Sequence, residues 1–134
     1  MSAYISDSLK SQIQQVDRQR CCYCLTTEAN SGIPMTFDHI QPRSKGGATS
    51  FENVCLACRT CNEYKSDLTE ADPLTSELAS LFNPRTQQWS EHFAWSLDAT
   101  KVQGVTAIGQ ATVAALRMNN PVVVAARYRW AIND

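Results

Sequence analysis

Four thiols, one imidazole, one carboxylate and two amides lie close together in this 134-residue chain. Two Cys-x-x-Cys pairs lie on either side of an Asp-His dipeptide. One asparagine lies between that dipeptide and the second cysteine pair, and another directly follows that pair. These residues are Cys21, Cys24, Asp38, His39, Asn53, Cys58, Cys61 and Asn62. The combination indicates a catalytic metal site that a structural zinc holds in place.

The two Cys-x-x-Cys pairs can supply four thiolates, the closed ligand set of structural zinc. We therefore predict a zinc ion bound by Cys21, Cys24, Cys58 and Cys61. Two alternatives stay open at this point: Cys22 could replace a neighbour, and Cys55-x-x-Cys58 could form the second pair. The first assignment is favoured because Cys55 lies within the apolar segment 54–57, where a small buried thiol is ordinary.

The other four residues suit the hydrolysis of a phosphodiester bond. An imidazole titrates near neutrality, so His39 can take a proton from water as a general base. Magnesium prefers oxygen ligands, and Asp38 and Asn62 each offer one if the strand and the helix that carry them pack face to face. Asn53 is neither an acid nor a base. Its amide can form hydrogen bonds across the loop and fix the position of His39.

Taken in order, these motifs resemble the HNH nucleases over roughly residues 18–68. The matching segments are Cys21-x-x-Cys24, Phe37-Asp-His-Ile40, Pro42-x-Ser-x-Gly-Gly47, Asn53-Val54 and Cys58-Arg-Thr-Cys-Asn62-x-x-Lys65. The resemblance implies the ββα-metal fold with a structural four-Cys zinc. It also implies that His39 is the general base, that Asp38 and Asn62 bind the catalytic divalent cation, and that Asn53 orients the base.

Two departures from the family pattern concern the catalytic cation. The third family position is often a histidine and here is Asn62, and Ser66 stands where the colicin-type branch has a second helix histidine. Oxygen ligands in place of imidazole favour Mg²⁺ or Mn²⁺ over Zn²⁺ in the catalytic site. Segments 81–85, 89–93 and 104–109 resemble, more weakly, the C-terminal tail of some small HNH proteins.

Periodicity and turn residues predict the elements around these motifs. We expect an amphipathic helix over 8–19 with its cap at Ser6-Asp7, strands at 35–37 and 54–57, and a helix over 61–68. Further along the chain we expect a hairpin of 91–97 with 101–105, a helix from the Thr106 cap through Met118, and a last helix from Pro121. The prediction is an α+β fold. Its ββα-metal (HNH) core with the four-Cys zinc site spans about 18–70, with an N-terminal helix. A C-terminal α/β extension, a β-hairpin plus helices, spans about 71–134 within the same single domain.

Charge alone leaves nucleic-acid binding undecided, because 12 basic and 13 acidic residues give a net charge of −1. Affinity for phosphates comes mainly from Lys and Arg, so the local cations near the motifs are the expected contacts. These are Arg43, Lys45, Arg59 and Lys65. No apolar run reaches the roughly 20 residues of a membrane span. With no apparent signal peptide, we expect a cytoplasmic protein with reduced thiols.

The sequence therefore predicts an endonuclease that hydrolyses DNA with a structural Zn²⁺ and a catalytic Mg²⁺ or Mn²⁺. One alternative is a zinc-dependent nucleic-acid-binding module without catalysis. Another is a nuclease subunit whose protein partner supplies the affinity for DNA. His92 lies in a Trp- and Phe-rich strand pattern, so we expect it to be structural or adjacent to the substrate. We expect Trp89, Phe93 and Trp95 to belong to the core, and the alternative is a platform on which bases stack.

Overall fold

The computed structural model describes residues 4–73 and 77–133, and it has the predicted α+β fold. The helices are α1 (Asp7–Val16), α2 (Glu28–Ser31), α3 (Arg59–Lys65), α4 (Trp89–His92), α5 (Ala107–Ala115) and α6 (Pro121–Asn133). The strands are β1 (Thr36–His39), β2 (Val54–Ala57), β3 (Glu70–Ala71), β4 (Ala79–Ser80), β5 (Phe93–Trp95) and β6 (Val102–Gly104). No helix within these described residues is long and apolar enough to cross a membrane.

The chain divides into two compact units. Within the described residues, the first comprises 4–69 with Asn83–Arg85, and the second comprises 70–73, 77–82 and 86–133. The boundary between the units lies near residue 70, and three later residues belong to the first unit. The bounds expected for the core and for the extension stay predictions. That the whole chain forms one domain stays a prediction.

Helix α1 begins where the sequence predicts and ends three residues early. Ser6 caps it, accepting a hydrogen bond from the Leu9 amide at 3.2 Å, and Ile13 is fully buried. The helix stops at Val16 because Arg18 and Gln19 adopt left-handed backbone angles, with φ of 58° and 53°. This turn leads the chain to the first cysteine pair.

Strands β1 and β2 form an antiparallel pair followed by α3, which is the strand, strand, helix order of the predicted core. Asp38 lies opposite Cys55, and His39 lies opposite Val54. All four residues of β2 are buried. Helix α3 begins at Arg59 rather than at Cys61, because the Cys58 thiol caps it by accepting a hydrogen bond from the Cys61 amide at 3.4 Å.

Residues 83–85 join the first unit through a buried ion pair that the sequence did not suggest. The Arg85 guanidinium binds both carboxylate oxygens of Asp17, at 2.6 and 3.0 Å. It also donates to the carbonyl oxygens of Phe51 and Val54, at 2.9 and 2.7 Å. Asp17 in turn accepts from the Leu56 amide of β2 at 2.9 Å. One guanidinium thus ties α1, the turn before β2 and β2 itself together.

We expect Arg85→Met to destabilise the protein by about 3–5 kcal/mol, because it leaves the buried Asp17 carboxylate without its counter-ion. Urea unfolding followed by circular dichroism measures the change. The matched control is the double variant Asp17→Asn with Arg85→Met, which removes both charges and should be more stable than the single variant. A loss below about 1 kcal/mol in the single variant, as for an exposed pair, would contradict this role.

The second unit contains the predicted hairpin, β5 with β6, and the two predicted helices. Thr106 caps α5 as expected, but the helix ends at Ala115 because Arg117 has φ of 49°. Strands β3 and β4, which were not among the predicted elements, form a short antiparallel pair.

The aromatic residues of the second unit pack mainly against one another. Phe93 is 2% exposed, and the ring of Trp89 stacks on it at 5.1 Å. His92 shares a short 2.6 Å hydrogen bond between its Nδ1 and Thr106 Oγ1, and its ring contacts Phe82 edge to face. These contacts agree with the structural roles expected for His92 and Phe93.

Candidate functional site

The four predicted zinc ligands come together in the first unit. The sulfur atoms of Cys21, Cys24, Cys58 and Cys61 all lie within 4.8 Å of one another. Such a group of thiols suits a tetrahedral Zn²⁺ ion, which binds sulfur at about 2.3 Å. Burial raises the pKa of the Cys21 thiol, whereas hydrogen bonding to the Cys21 thiol lowers the pKa of Cys24.

Each cysteine pair forms the same local turn. The Cys24 amide donates to the Cys21 sulfur at 3.5 Å, and the Cys61 amide donates to the Cys58 sulfur at 3.4 Å. These amides help to stabilise negative charge on the sulfur atoms. The spacing of two residues between the cysteines is what allows this turn, so the ligand positions follow from local sequence.

The two remaining cysteines lie outside the four-thiol group. Cys55 is buried in β2, where its sulfur approaches the Tyr23 hydroxyl at 3.8 Å. Cys22 is half-buried, and its amide donates to the Leu56 carbonyl at 2.9 Å. The sequence left open two other ligand sets, one with Cys22 and one with Cys55. Neither cysteine belongs to the four-thiol group found in the described residues.

Asp38 and His39 are adjacent in β1 but have different environments, because side chains alternate along a strand. Asp38 is 4% exposed, whereas His39 is half-buried. The Asp38 carboxylate accepts a hydrogen bond from the Tyr23 hydroxyl at 2.8 Å and pairs with the Lys65 ammonium at 3.2 Å. Burial raises the pKa of Asp38, and the Lys65 charge and these hydrogen bonds oppose the rise.

The Lys65 side chain is buried and therefore does not lie where a phosphate could contact it. The side chain is 1% exposed, and its ammonium donates to the Asp38 carboxylate and, at 3.0 Å, to the His39 carbonyl. This differs from the expectation drawn from the sequence, because the last turn of α3 faces β1 rather than solvent. Tyr23, between Cys21 and Cys24, is a second partner of Asp38 that the sequence gave no reason to single out.

The His39 imidazole contacts the loop that follows β1. Its Nε2 lies 2.9 Å from the Thr49 hydroxyl oxygen, a partner that sequence reasoning missed. Partial burial lowers the pKa of His39 from its ordinary 6.5; Asp38 opposes this, whereas Arg43 and Lys65 lower it further. A lowered pKa favours the neutral form of the imidazole, which is the form that can accept a proton.

Asn53 connects the two ends of the loop between β1 and β2. Its side-chain oxygen accepts from the Gln41 amide at 2.9 Å, and its nitrogen donates to the carbonyls of Gln41 and Ala48, at 3.0 and 2.8 Å. Its own carbonyl accepts from the Ile40 amide at 2.8 Å. These bonds fix the backbone directly after His39, which is the geometry that the expected orienting role requires.

Gly47 allows this loop to close. A Cβ atom at that position would lie 1.7 Å from the Gln41 carbonyl oxygen and 2.8 Å from the Asn53 side-chain nitrogen. A side chain here would therefore push apart the two residues whose hydrogen bonds hold the loop.

We expect Gly47→Ala to cost about 1–3 kcal/mol of stability, because an added methyl group overpacks the loop. We also expect it to reduce any cleavage activity, because the loop carries the Thr49 contact to His39. Urea unfolding and a plasmid-nicking assay measure the two effects. Gly32→Ala is the control: Gly32 has φ of 69° with open space around it, so only stability should fall. Equal nicking by both variants would contradict the role of Gly47.

Asn62 in α3 reaches β1 at Thr36, on the same face of the strand as Asp38. Within the described residues, no hydrogen bond joins Asn62 to Asp38. The Asn62 side-chain nitrogen donates to the Thr36 hydroxyl at 2.8 Å, and Thr36 lies two residues before Asp38. The Thr36 hydroxyl donates its single hydrogen to the Ala57 carbonyl at 2.7 Å. The Asn62 amide must therefore present its NH₂ group to Thr36, which directs its oxygen elsewhere.

The remaining expected phosphate contacts are on the surface. Arg43 and Lys45 are exposed in the 3₁₀ turn Arg43–Lys45 after His39. The Arg59 side chain is 75% exposed and pairs with Glu63 at 3.2 Å along the same helix. Exposed pairs of this kind are weak, so Arg59 keeps most of its freedom to contact an anion.

Comparison with known proteins gives one finding for this region. Residues 21–68 match the family model described as HNH endonuclease, and this stretch runs from Cys21 to just beyond α3. The resemblance predicted from the motifs is thereby confirmed for this part of the chain. Neither the comparison with curated proteins nor the one with solved structures finds a match.

Proposed function

We propose that this protein, with its HNH endonuclease match over residues 21–68, is a metal-dependent endonuclease that hydrolyses DNA phosphodiester bonds. The observation that carries the proposal is the position of the half-buried His39 imidazole, whose Nε2 lies 2.9 Å from the Thr49 hydroxyl oxygen. The imidazole sits at the end of a strand whose partner strand and loop hold it in place. Such a base can accept a proton from water at neutral pH.

His39 has a defined role in this proposal. When Nε2 carries the ring hydrogen and donates it to Thr49, Nδ1 is left with a free lone pair that can accept a proton from the attacking water. The bonds of Asn53 to Gln41 and Ile40 keep the backbone around the base from shifting. Asn53 is thus a positioning residue and not a proton carrier.

The oxygen atoms of Asp38 and Asn62 are the donors that would hold the catalytic cation. Both are hard oxygen donors, as Mg²⁺ and Mn²⁺ prefer, and neither an imidazole nor a thiol belongs to the set. The cation would stabilise negative charge on the phosphate and on the leaving oxygen. The orientation of the Asn62 amide supports its assignment, because its oxygen is not used by Thr36.

The four-thiol group would hold a structural zinc in this proposal. It links the turn that holds Cys21 and Cys24 to the start of α3, which carries Asn62. Tyr23 of the same turn donates a hydrogen bond to Asp38 in β1. Zinc would thus fix the relative position of the proposed catalytic groups without contacting substrate, which is the role of a closed site.

The net charge of −1 supports a second candidate, a zinc-dependent nucleic-acid-binding module or nuclease subunit that depends on a partner. With Lys65 buried, the cations proposed for phosphate contact are Arg43, Lys45 and Arg59. A partner protein could supply the missing affinity for DNA.

A plasmid assay distinguishes these candidates. Zinc-loaded protein is incubated with supercoiled plasmid without other divalent cations, with Mg²⁺ or with Mn²⁺, and the nicked and linear forms are quantified. The endonuclease proposal expects cleavage only where Mg²⁺ or Mn²⁺ is added. Plasmid retardation without cleavage in all three conditions would overturn it in favour of the binding module. A parallel single-stranded RNA substrate tests the choice of nucleic acid.

A further inference from the structure

The ammonium of Lys65 lies in an oxygen-lined position inside the first unit. Its Nζ contacts the Asp38 carboxylate at 3.2 Å and the His39 carbonyl at 3.0 Å, and the side chain is 1% exposed. A lysine is rarely buried to this degree unless its charge is compensated. Here the compensation comes from Asp38, the same carboxylate that the proposed function assigns to a divalent cation.

We propose that Lys65 is the internal counter-ion of Asp38 in the cation-free protein, and that a divalent cation must displace the Lys65 ammonium from the carboxylate to bind. This inference rests on the proposed function for the assignment of Asp38 as a cation ligand. It adds a determinant of cation affinity that lies outside the ligand set.

Electrostatics makes the two cations exclude each other. An ammonium about 3 Å from a carboxylate and a divalent cation bound to the same carboxylate would lie within a few ångströms of each other, and their repulsion in a buried site is strong. The carboxylate cannot be left bare either, because Tyr23 supplies a hydrogen bond but no charge. As long as the Asp38 carboxylate is ionised, one of the two cations must therefore be present.

The position of Lys65 in the fold permits the exchange. It is the last residue of α3, and Ser66 after it has φ of 49°, so the helix ends at this point. The long, flexible lysine stem can swing its ammonium away without breaking helical hydrogen bonds, and the helix C-terminus favours a nearby positive charge. Lys65 can thus leave Asp38 while α3 stays docked on β1.

Direct measurement of Mn²⁺ binding tests the exchange. Zinc-loaded full-length protein is titrated with Mn²⁺, and free Mn²⁺ is followed by electron paramagnetic resonance. Lys65→Gln should bind Mn²⁺ at least about tenfold more tightly than the parent protein, because the competing charge is gone. Asp38→Asn should lose the binding. Unchanged or weaker Mn²⁺ binding by Lys65→Gln would overturn the proposal.

Arg59→Gln is the matched control for the loss of one positive charge. It removes a cation from the same helix, but from a side chain that is 75% exposed and paired with Glu63. Its Mn²⁺ affinity should stay within about twofold of the parent protein, because an exposed charge is screened by solvent. A tenfold gain in Arg59→Gln as well would assign the effect to net charge and overturn the exchange.

Lys65→Gln leaves Asp38 buried without a counter-ion, so its stability is measured at the same time. Thermal unfolding with and without Mn²⁺ should give a larger Mn²⁺-dependent rise in Tm for Lys65→Gln than for the parent protein. If the variant folds only when Mn²⁺ is added, as circular dichroism would detect, the exchange is supported. A variant that stays unfolded at saturating Mn²⁺ would count against it.

These outcomes are separable from the fate of the proposed function. Tighter Mn²⁺ binding by Lys65→Gln with no cleavage by any variant would uphold the exchange and refute the endonuclease. If the parent protein cleaves plasmid and Lys65→Gln shows no gain in Mn²⁺ affinity, the endonuclease is upheld and the exchange is refuted.

Discussion

Replacing His39 with Ala should lower the rate of plasmid nicking by about a hundredfold to ten-thousandfold, the range of a lost general base. The side chain is half-buried and contacts Thr49 at the surface of the loop. Its removal should therefore leave zinc content and circular dichroism close to those of the parent protein. The measurement is the initial rate of nicking at saturating Mg²⁺, and added imidazole should restore part of it.

The chain offers a matched control for this change, because it has two histidines. His92 lies in the second unit, where its Nδ1 bonds to Thr106 Oγ1 at 2.6 Å. His92→Gln keeps a group that can bond to Thr106, so this variant should nick plasmid at near the parental rate. Nicking by His39→Ala at a rate similar to that of His92→Gln would refute the proposed base.

Removing one zinc ligand should unfold the first unit. Structural zinc contributes about 10–16 kcal/mol of apparent binding free energy in zinc-finger peptides, which is as large as the whole stability of a typical domain. Cys24→Ser should therefore lose zinc and the cooperative unfolding transition of this unit. Zinc content by elemental analysis and thermal unfolding by circular dichroism measure the two losses. Parental zinc content in Cys24→Ser would contradict the assignment.

Cys22→Ser is the control for the zinc prediction, because Cys22 lies two residues from Cys24 but outside the four-thiol group. It should keep one zinc per chain and lose little stability. Both variants replace one thiol with a hydroxyl in the same turn, so a difference in zinc content between them reports which thiol binds the ion. Loss of zinc in Cys22→Ser with retention in Cys24→Ser would instead favour the alternative ligand set.

Much of the fold could be predicted because it rests on local chemistry. The Cys-x-x-Cys spacing fixes a turn whose amides bond to the first sulfur of each pair, whatever lies elsewhere in the chain. Ser6 and Thr106 cap their helices through bonds to an amide three residues later. The apolar run 54–57 forms a strand that is buried along its whole length. Each feature involves residues near one another in the sequence.

The first and last residues of several helices were predicted less well, and two cases show why. Helix α3 begins at Arg59 because the thiol of Cys58 caps it, and cysteine is not among the usual capping residues. Helix α5 ends at Ala115 because Arg117 takes a left-handed backbone angle, which arginine seldom adopts. Residue propensities therefore predict neither the start of α3 nor the end of α5.

The sequence by itself determined which groups could do chemistry: the thiols, the imidazole of His39 and the oxygens of Asp38 and Asn62. Only the tertiary structure decided which cation neutralises the charge of Asp38. Lys65 lies 27 residues away in sequence, and lysine side chains are usually exposed. The same holds for Arg85 with Asp17, 68 residues apart. Spacing sets local geometry, but packing decides which charges are buried, and a buried charge must find its partner.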